Sequence, residues 1–544
     1  MIIFELDGIQ YASMVAMGSK NLLSDIERIN ALNVFPVPDG DTGTNMLMTL
    51  DGGVEASTNN PEQSISKMAK NMSRNMTLNA RGNSGVILSQ YFRGISIGLD
   101  GLEKATVLDF AKSLITGTER AYKVVQNPTE GTILTVVREA GEAALKDYKE
   151  GMNLTEFINV YLKYARESLA RTPELLPVLK KAGVIDSGAA GLVLIFEGFL
   201  KYLNEEEIIL GDKSPEEKSF GPDSKLISGF DIEFVLQLQN SKINIPEFDL
   251  NNYDAILNGL GNNLVSTIDG TIINTHINTF HPGSVIAQAR KFGEILKIKI
   301  VNMDVKEDEF DFSSEKPNFV REHKKYATVA VANGAGLVQA FRDMGVDEVV
   351  SGGQTMNTST QDFIKAFDSL NADNIFVFPN NGNIIMAANQ AAESYTKAKV
   401  YVIKTKTIAQ GYSACQMINF DSDNVDEIIN NFNGVVSNVS TLEVTYSIRS
   451  TEINGIKIDK GDFICIYNGD LISASKDRIS AIKSAFRAIP DFKDKSVLTV
   501  LCGIDVRVEE CQEIEAAALA FNSYMEVYPV EGNQDIYSYI IGIE

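Results

Sequence analysis

The residues best suited to chemistry lie in the segment NVFPVPDGDTGTNM at positions 33–46. Pro36 and Pro38 prevent a helix there, so Asp39 and Asp41 are predicted in extended backbone, where residues two apart point to the same side. Two such carboxylates repel each other unless a cation lies between them, and hard divalent ions prefer oxygen ligands. The segment predicts a divalent-metal site. The alternative is a turn that caps the next helix, because Asp, Gly and Thr all favour caps.

Three further segments place glycine at the predicted start of a helix: ARGNSGV at 80–86, EGTIL at 130–134 and DSGAAG at 186–191. Backbone N–H groups at a helix N-terminus bind anions well. Each segment alone is equally an ordinary helix start, because Gly, Ser and Asp are common there. Together with the paired carboxylates they predict several helix N-termini around a nucleotide phosphate chain. The Walker A pattern is absent from the sequence, so a P-loop enzyme is not expected.

Charge and composition narrow the possible partners. The 544 residues carry a formal net charge of −23, which argues against nucleic-acid binding.

The sequence contains no signal-like amino terminus and no long apolar run, so a cytoplasmic chain without a membrane segment is expected. The four cysteines lie without a pairing pattern and are predicted as reduced core residues. Histidine occurs only at positions 276, 281 and 323, so chemistry in the first half of the chain cannot use imidazole.

Three domains are predicted from the apolar periodicity and two charged linkers near 204–226 and 305–324. The first domain, 1–203, is expected to be all-helical, with helices near 8–32, 62–80, 103–126, 131–149, 154–170 and 187–203. Further helices are expected after Thr42–Asn45 and after the small-residue segment 80–86. The second, 227–304, is predicted as a small α+β unit with a helix near 282–295. The third, 325–544, alternates strands and helices in the βαβ rhythm of a parallel sheet, followed by a strand-rich part.

The motifs NVFPVPDGDTGTNM, ARGNSGVILSQ, EGTILTVV and GVIDSGAAGL resemble, in this order and spacing, the DhaL (DAK2) domain of the ATP-binding subunit of bacterial fatty-acid kinase. The resemblance extends over nearly the whole chain, including TKTIAQG at 405–411. It implies a multidomain fold: an all-α DhaL-type helical barrel, a small α+β middle domain and a two-lobed, DegV-like α/β carboxyl-terminal domain.

The resemblance also implies functional residues in the first domain. Asp39 and Asp41 match catalytic carboxylates that bind Mg²⁺, with two ions expected. Asn33 stands where relatives have a further acidic ligand, so the resemblance implies a metal-binding role for Asn33 less strongly. Nucleotide contacts are implied at two sets of positions. The first set is predicted to contact the phosphates and consists of Thr44, Asn45, Asn83, Ser84 and Gly85. The second set is predicted in loops around the nucleotide and consists of Thr132, Asp186 and Gly188.

In the middle domain, relatives carry a His-x-His pair and an upstream Cys that bind zinc. Here His276 is retained, but Asn278 replaces the second histidine and Asp231 replaces the cysteine. Asn is a poor zinc ligand, so zinc is not expected there. His281 is interpreted as a loop histidine and His323 as a solvated surface residue.

The implied activity is transfer of the γ-phosphoryl group of ATP to a fatty-acid carboxylate, giving acyl phosphate for phospholipid synthesis. A separate acyl-binding partner of the DegV family presents the acid, and a homodimer is expected from the resemblance. The strand-end segments at 351–354 and 380–383 are predicted to dock a partner, with structural turns or a second acyl pocket as alternatives. Two other functions stay open: a dihydroxyacetone-type kinase, from whose motif Thr42 departs, and a non-catalytic nucleotide-responsive scaffold.

Overall fold

The computed structural model describes residues 1–33, 40–208, 230–245, 248–302, 323–353, 357–420, 422–453, 455–506 and 508–544. They form two compact units, one made of Met1–Ile209 with Arg321–Glu544 and the other of Leu210–Val320. Within the described ranges, the helices are all too short or too polar to cross a bilayer. The domain boundaries 1–203, 227–304 and 325–544 stay predictions.

The amino-terminal region is helical, as predicted. A short antiparallel pair, β1 (Glu5–Leu6) with β2 (Ala105–Thr106), joins two of its loops. In the described part of this region the helices are α1 (Gly8–Leu23), α2 (Ile26–Ala31), α3 (Thr42–Asn59), α4 (Ile65–Leu78), α5 (Gly82–Gly98), α6 (Val107–Val124), α7 (Ile133–Asp147), α8 (Leu154–Leu175), α9 (Pro177–Ala182) and α10 (Ser187–Leu203).

Local signals explain where several of these helices begin. Asp7, Thr106 and Asn153 each accept a hydrogen bond from the backbone three residues later, in full capping boxes. The predicted helix over 8–32 is divided, because α1 ends at Leu23 and α2 begins at Ile26.

Large apolar side chains fill the interior of the helical domain. Tyr161 and Phe196 stack with ring centroids 4.2 Å apart, and Phe199 lies 4.8 Å from Phe196. All three are almost fully buried. This packing holds α8 against α10 in the interior of the domain.

The second unit is an α+β structure built on a four-stranded antiparallel sheet, ordered β4-β5-β3-β6. The predicted helix over 282–295 is too long: α12 ends at Ala289, and the next segment pairs with β3 as a strand because its apolar residues alternate. The elements are β3 (Phe230–Leu238), α11 (Leu250–Asn258), β4 (Asn262–Asp269), β5 (Ile272–Thr279), α12 (Pro282–Ala289) and β6 (Gly293–Asn302).

The carboxyl-terminal region is mixed α/β, and its first half confirms the predicted βαβ rhythm. Its four strands are parallel in the order β10-β9-β7-β8. The elements are β7 (Lys324–Ala332), α13 (Ala335–Asp343), β8 (Glu348–Ser351), α14 (Thr360–Asp368), β9 (Ala372–Phe378), α15 (Ile385–Ser394), β10 (Lys399–Val402), α16 (Ile408–Gln416) and α17 (Val425–Asn438).

A second, six-stranded sheet follows in the order β15-β14-β11-β18-β16-β17. Cys415, Cys465 and Cys502 are buried free thiols, as predicted, whereas Cys511 is half-buried with its sulfur 3.1 Å from that of Cys502. The remaining elements are β11 (Ser440–Tyr446), β12 (Thr451–Ile453), β13 (Ile456–Ile458), β14 (Phe463–Tyr467), β15 (Asp470–Ser475), α18 (Arg478–Ala488), β16 (Val497–Cys502), α19 (Val508–Leu519), β17 (Glu526–Glu531) and β18 (Tyr539–Ile543).

Candidate functional site

Asp41 stands at the N-cap position of α3, but its side chain does not cap that helix. Its carboxylate instead accepts a hydrogen bond from Nδ2 of Asn357, which comes from the carboxyl-terminal region. The alternative prediction, that the Asp41 side chain caps the next helix, is therefore wrong. The other predicted carboxylate, Asp39, lies outside the described residues.

Asn30 of α2, which no sequence motif singles out, stabilises the first turn of α3. Its Oδ1 accepts hydrogen bonds from the backbone N–H groups of Gly43, over 2.8 Å, and Thr44, over 3.3 Å. Its Nδ2 donates to Oγ1 of Thr44 over 3.0 Å. The predicted phosphate-contacting residue Thr44 is thus held in place by a neighbouring amide.

Asn33, the weaker predicted metal ligand, is tied to the start of α3 as well. Its Oδ1 accepts a hydrogen bond of 2.8 Å from the hydroxyl of Thr42. Its backbone oxygen accepts one of 3.0 Å from the guanidinium of Arg449. An amide oxygen keeps a second lone pair, so the first bond leaves room for a cation ligand.

The start of α5 lies directly against α3. Gly82 has a φ of +58°, and a Cβ there would be 2.7 Å from Nδ2 of Asn45, a side chain that is only 5% exposed. Glycine is required for this close approach. Gly85 faces Thr49 of α3, with a Cβ position 2.4 Å from its hydroxyl, so it serves helix packing; its predicted nucleotide contact stays a prediction.

The other two predicted residues on α5 lie in its first turn. Asn83 is half-buried, and its Nδ2 lies 3.5 Å from Oδ1 of Asn383 in the carboxyl-terminal region. Ser84, also half-buried, follows it directly. Both therefore lie where a phosphate could meet the N-terminus of α5.

The starts of α7 and α10 form the remaining side of the site. Thr132 caps α7 through a 3.4 Å bond from Leu134 N–H. Asp186 caps α10 by accepting from Ala189 N–H over 2.8 Å, and Gly188 packs beside Ile133 at the start of α7. Burial raises the pKa of Asp186 to about 6, although N–H groups of Ala189 and Ile133 oppose that rise.

These contacts bring the predicted helix starts together. A 3.3 Å hydrogen bond from Ser187 to Thr42 joins α10 to α3, and the N–H of Ile133 joins α7 to α10 through Asp186. The positive ends of four helix dipoles, those of α3, α5, α7 and α10, consequently lie at one rim of the helical domain. With the carboxylate of Asp41 among them, the rim has the features of a site for a phosphate chain and its metal.

The strand-end loops predicted to dock a partner lie partly against the chain's own helical domain. Gly352, Gly353, Asn380 and Asn381 line a small cavity at the carboxyl ends of the parallel strands. Asn383, in the same loop, contacts Asn83 at the start of α5. Gln354 lies outside the described residues. This edge of the sheet is therefore occupied in part by an intramolecular contact.

The middle unit has a separate cluster of possible metal ligands: Asp231, Glu233 and His276, whose ligand atoms lie within 4.8 Å of one another. Nδ1 of His276 is 3.3 Å from Oδ1 of Asp231 and 3.8 Å from Oε1 of Glu233. Asn278 pairs with Asp231 across the two strands, and an oxygen of each is buried without a hydrogen-bond partner among the described residues. One imidazole among oxygens, with no thiolate in this cluster, does not fit a structural zinc site.

The two other histidines have ordinary structural surroundings. His281 stands at the start of α12, where its backbone N–H donates to the hydroxyl of Thr279 over 3.0 Å. His323 is exposed and lies 3.1 Å from a carboxylate oxygen of Asp373. The surface position predicted for His323 is confirmed.

Three family models match the chain in succession. The DAK2 domain matches residues 36–201, the middle domain of FakA-like fatty acid kinase proteins matches 228–310, and the carboxyl-terminal domain of the same FakA-like proteins matches 327–544.

Curated relatives match over their full length. Protein YloV of Bacillus subtilis is 38% identical over 559 residues, and an uncharacterized protein of Staphylococcus saprophyticus is 34% identical over 561 residues. Both alignments cover 100% of each chain. Among solved structures, dihydroxyacetone kinase from C. freundii in complex with AMP-PNP and Mg²⁺ matches with a TM-score of 0.28 and 20% identity. That match covers 35% of this chain and 33% of the other, and it supports no conclusion about function.

Proposed function

The chain belongs to the FakA-like family of fatty acid kinase proteins, and we propose that it is the ATP-binding catalytic subunit of a fatty-acid kinase. In this reaction a fatty-acid carboxylate receives the γ-phosphoryl group of ATP and becomes an acyl phosphate for phospholipid synthesis. The observation that carries the proposal is the rim where four helix N-termini surround Asp41. The proposed location is the cytoplasm.

Asp41 and Asp39 would hold the magnesium ions, with Asn33 as a further oxygen ligand. The donor set fits, because Asp41 does not use its carboxylate to cap α3 and hard cations prefer such oxygens. When bound, the ions neutralise charge on the phosphates and align the γ-phosphoryl group. We propose two ions, by resemblance to the family.

The protein's own contribution would be to bind and orient the phosphate chain. Thr44 and Asn45 on α3, with Asn83 and Ser84 on α5, are the proposed contacts. Asn30 fixes Thr44, and Gly82 allows Asn45 to pack closely, so both side chains are held before the nucleotide arrives. Such preorganisation supports phosphoryl transfer, in which positioning and electrostatics contribute most of the rate enhancement.

The proposed acceptor needs no catalytic base. A fatty-acid carboxylate is already ionised at neutral pH, which agrees with the absence of histidine before residue 276. Its oxygen forms a bond to the γ-phosphorus while the bond from that phosphorus to the β,γ-bridging oxygen breaks. The products are acyl phosphate and ADP.

A long acyl chain must be shielded from water during the reaction. The described interior of the helical domain is filled by its own side chains, among them the stacked pair Tyr161 and Phe196. We therefore propose that an acyl-binding partner of the DegV family presents the fatty acid, and that the carboxyl-terminal domain, itself DegV-like by resemblance, docks it. The dihydroxyacetone-type alternative is less well supported, because the middle and carboxyl-terminal regions match fatty-acid kinase models.

The proposal is tested by trapping the acyl phosphate product with hydroxylamine, which converts it to a hydroxamate. Purified full-length chain, ATP, Mg²⁺ and an acyl-binding partner loaded with a long-chain fatty acid should yield hydroxamate, whereas either protein alone should not. Dihydroxyacetone in place of the loaded partner serves as the competing acceptor. Phosphorylation of dihydroxyacetone, or nucleotide binding without any hydroxamate, would overturn the proposal.

A further inference from the structure

The carboxyl-terminal region contacts both ends of the loop that carries the paired aspartates. At one end, the guanidinium of Arg449 donates a 3.0 Å hydrogen bond to the backbone oxygen of Asn33. At the other end, Nδ2 of Asn357 donates to Oδ2 of Asp41. Residues from one structural region thus contact both Asn33 and Asp41 of another.

The contact with Asp41 is enclosed and held by several neighbours. Asn357 is 2% exposed, and its backbone oxygen accepts a 2.7 Å hydrogen bond from Arg81 just before α5. Arg81 also pairs with Ser359 in an antiparallel bridge, and Thr360 N–H donates to the oxygen of Ala80 over 3.3 Å. The segment that carries Asn357 is therefore anchored at the start of α5.

Apolar packing supports the same interface. Ala80 and Val86 of the helical domain are fully buried in a cluster whose other buried members come from the carboxyl-terminal region, including Phe363 and Ile384. Removing these side chains from water stabilises the association in proportion to the apolar area covered. The asparagine is consequently presented to Asp41 by a packed surface rather than by a loose loop.

The amide of Asn357 is suited to orienting a metal-binding carboxylate. Its N–H group fixes one oxygen of Asp41, as outer hydrogen bonds orient carboxylate ligands in metal sites. Its own oxygen, Oδ1, is buried without a hydrogen-bond partner among the described residues. Ordered water or an ion commonly satisfies a buried acceptor of this kind, so Oδ1 is placed to accept from a water molecule of a hydrated cation.

We propose that Asn357 is a positioning residue of the ATP site, which holds the carboxylate of Asp41 in the orientation that Mg²⁺ requires. The carboxyl-terminal domain thereby takes part in phosphoryl transfer within the same chain, in addition to docking a partner. This inference rests on the proposed function, because it assigns Mg²⁺ to Asp41.

The test compares the full-length chain with Asn357→Ala and Asn357→Leu, the second of which keeps most of the side-chain volume. Binding of a fluorescent ATP analogue is titrated with Mg²⁺, and thermal melting verifies that each variant is folded. The Mg²⁺ concentration at half-saturation should rise about 10-fold or more in both variants, in line with the loss of an outer hydrogen bond at a metal site. Saturating Mg²⁺ should restore nucleotide binding.

Gln390→Ala is the matched control, since it weakens the same interface without touching Asp41. Its Mg²⁺ requirement should equal that of the unmodified chain. An unchanged Mg²⁺ requirement in both Asn357 variants, or an equal shift in Gln390→Ala, would overturn the positioning role. If the unmodified chain showed no Mg²⁺-dependent nucleotide binding, the proposed function itself would fail, which is a distinct result.

Discussion

Nε2 of Gln90 donates a 2.6 Å hydrogen bond to Oε1 of Gln390, which lies 300 residues further along the chain. Both side chains are buried, with exposures of 4% and 6%. The Gln390 amide also donates to the backbone oxygen of Thr77 over 2.7 Å and to the hydroxyl of Thr360 over 3.0 Å. This amide pair joins the helical and carboxyl-terminal regions through enclosed polar contacts.

Gln390→Ala should therefore lower the free energy of unfolding by about 1–3 kcal/mol, because the buried Gln90 amide loses its acceptor. Thermal or urea denaturation measures the change. Gln339→Ala is the control, since Gln339 makes a comparable bond to Asp343 on an exposed helix face and should change stability by no more than about 0.5 kcal/mol. Equal stabilities of the two variants would contradict the interpretation.

Gly82→Ala should impair both stability and nucleotide binding. The positive φ of +58° predicts a backbone cost of about 1–2 kcal/mol, and the new Cβ would displace Asn45, which lies 2.7 Å from its position. Gly101→Ala provides the comparison, because its φ is +78° but no atom lies within 4 Å of the added Cβ. Denaturation and nucleotide titration should separate them: both variants lose stability, but only Gly82→Ala binds ATP more weakly.

Asp41→Asn should lower Mg²⁺-dependent turnover at least about 100-fold, since the amide removes the charge that would hold the metal while keeping the shape. The hydroxamate assay measures turnover, and the melting temperature reports folding. Asp147→Asn removes a carboxylate of the same domain that contacts only the exposed Tyr164 hydroxyl among its described partners, and its turnover should be unchanged. Full activity of Asp41→Asn would remove the metal assignment.

Because of Asp186, the free energy of unfolding should decrease as pH rises from acidic to neutral values. Burial raises its pKa to about 6, whereas the pKa of an unfolded aspartate is about 4. Between these values the folded chain holds a proton that the unfolded chain has released, so stability from this group is complete below about pH 4 and declines as pH rises through about 6. Asp186→Asn keeps a capping side chain and should lack this decline, as urea denaturation at several pH values can show. Parallel pH profiles of the two proteins would count against the raised pKa.

Local patterns predicted most elements of the fold. The helical amino-terminal region and the parallel βαβ part follow from apolar periodicity and cap residues within a few positions of each element. Errors arose where a pattern was continued too far. The helix over 8–32 breaks at Ser24 and Asp25, and the one over 282–295 stops at Ala289 because pairing with β3 takes over.

The candidate site was predictable only in its local part. The rim of helix starts could be inferred because each start has a glycine with Asp, Asn, Ser or Thr close to it in sequence. Asn357 and Arg449 could not, since they lie 316 and 416 residues from their partners and stand in no distinctive motif. The role of the Asp41 side chain could not be predicted from its own segment either, because its hydrogen-bond donor Asn357 comes from another part of the chain.

The distance along the chain between Asp41 and Asn357 has a consequence for biosynthesis. A ribosome adds roughly 5–20 residues per second, so the 316 residues between them take roughly 16 to 60 s to translate. Throughout that interval the nascent chain carries the carboxylate without the amide that donates a hydrogen bond to it. A polypeptide terminated before residue 357 would lack the hydrogen bond from Asn357 to Asp41. Under the proposed function, phosphoryl transfer at full efficiency would therefore wait until the carboxyl-terminal region had been made.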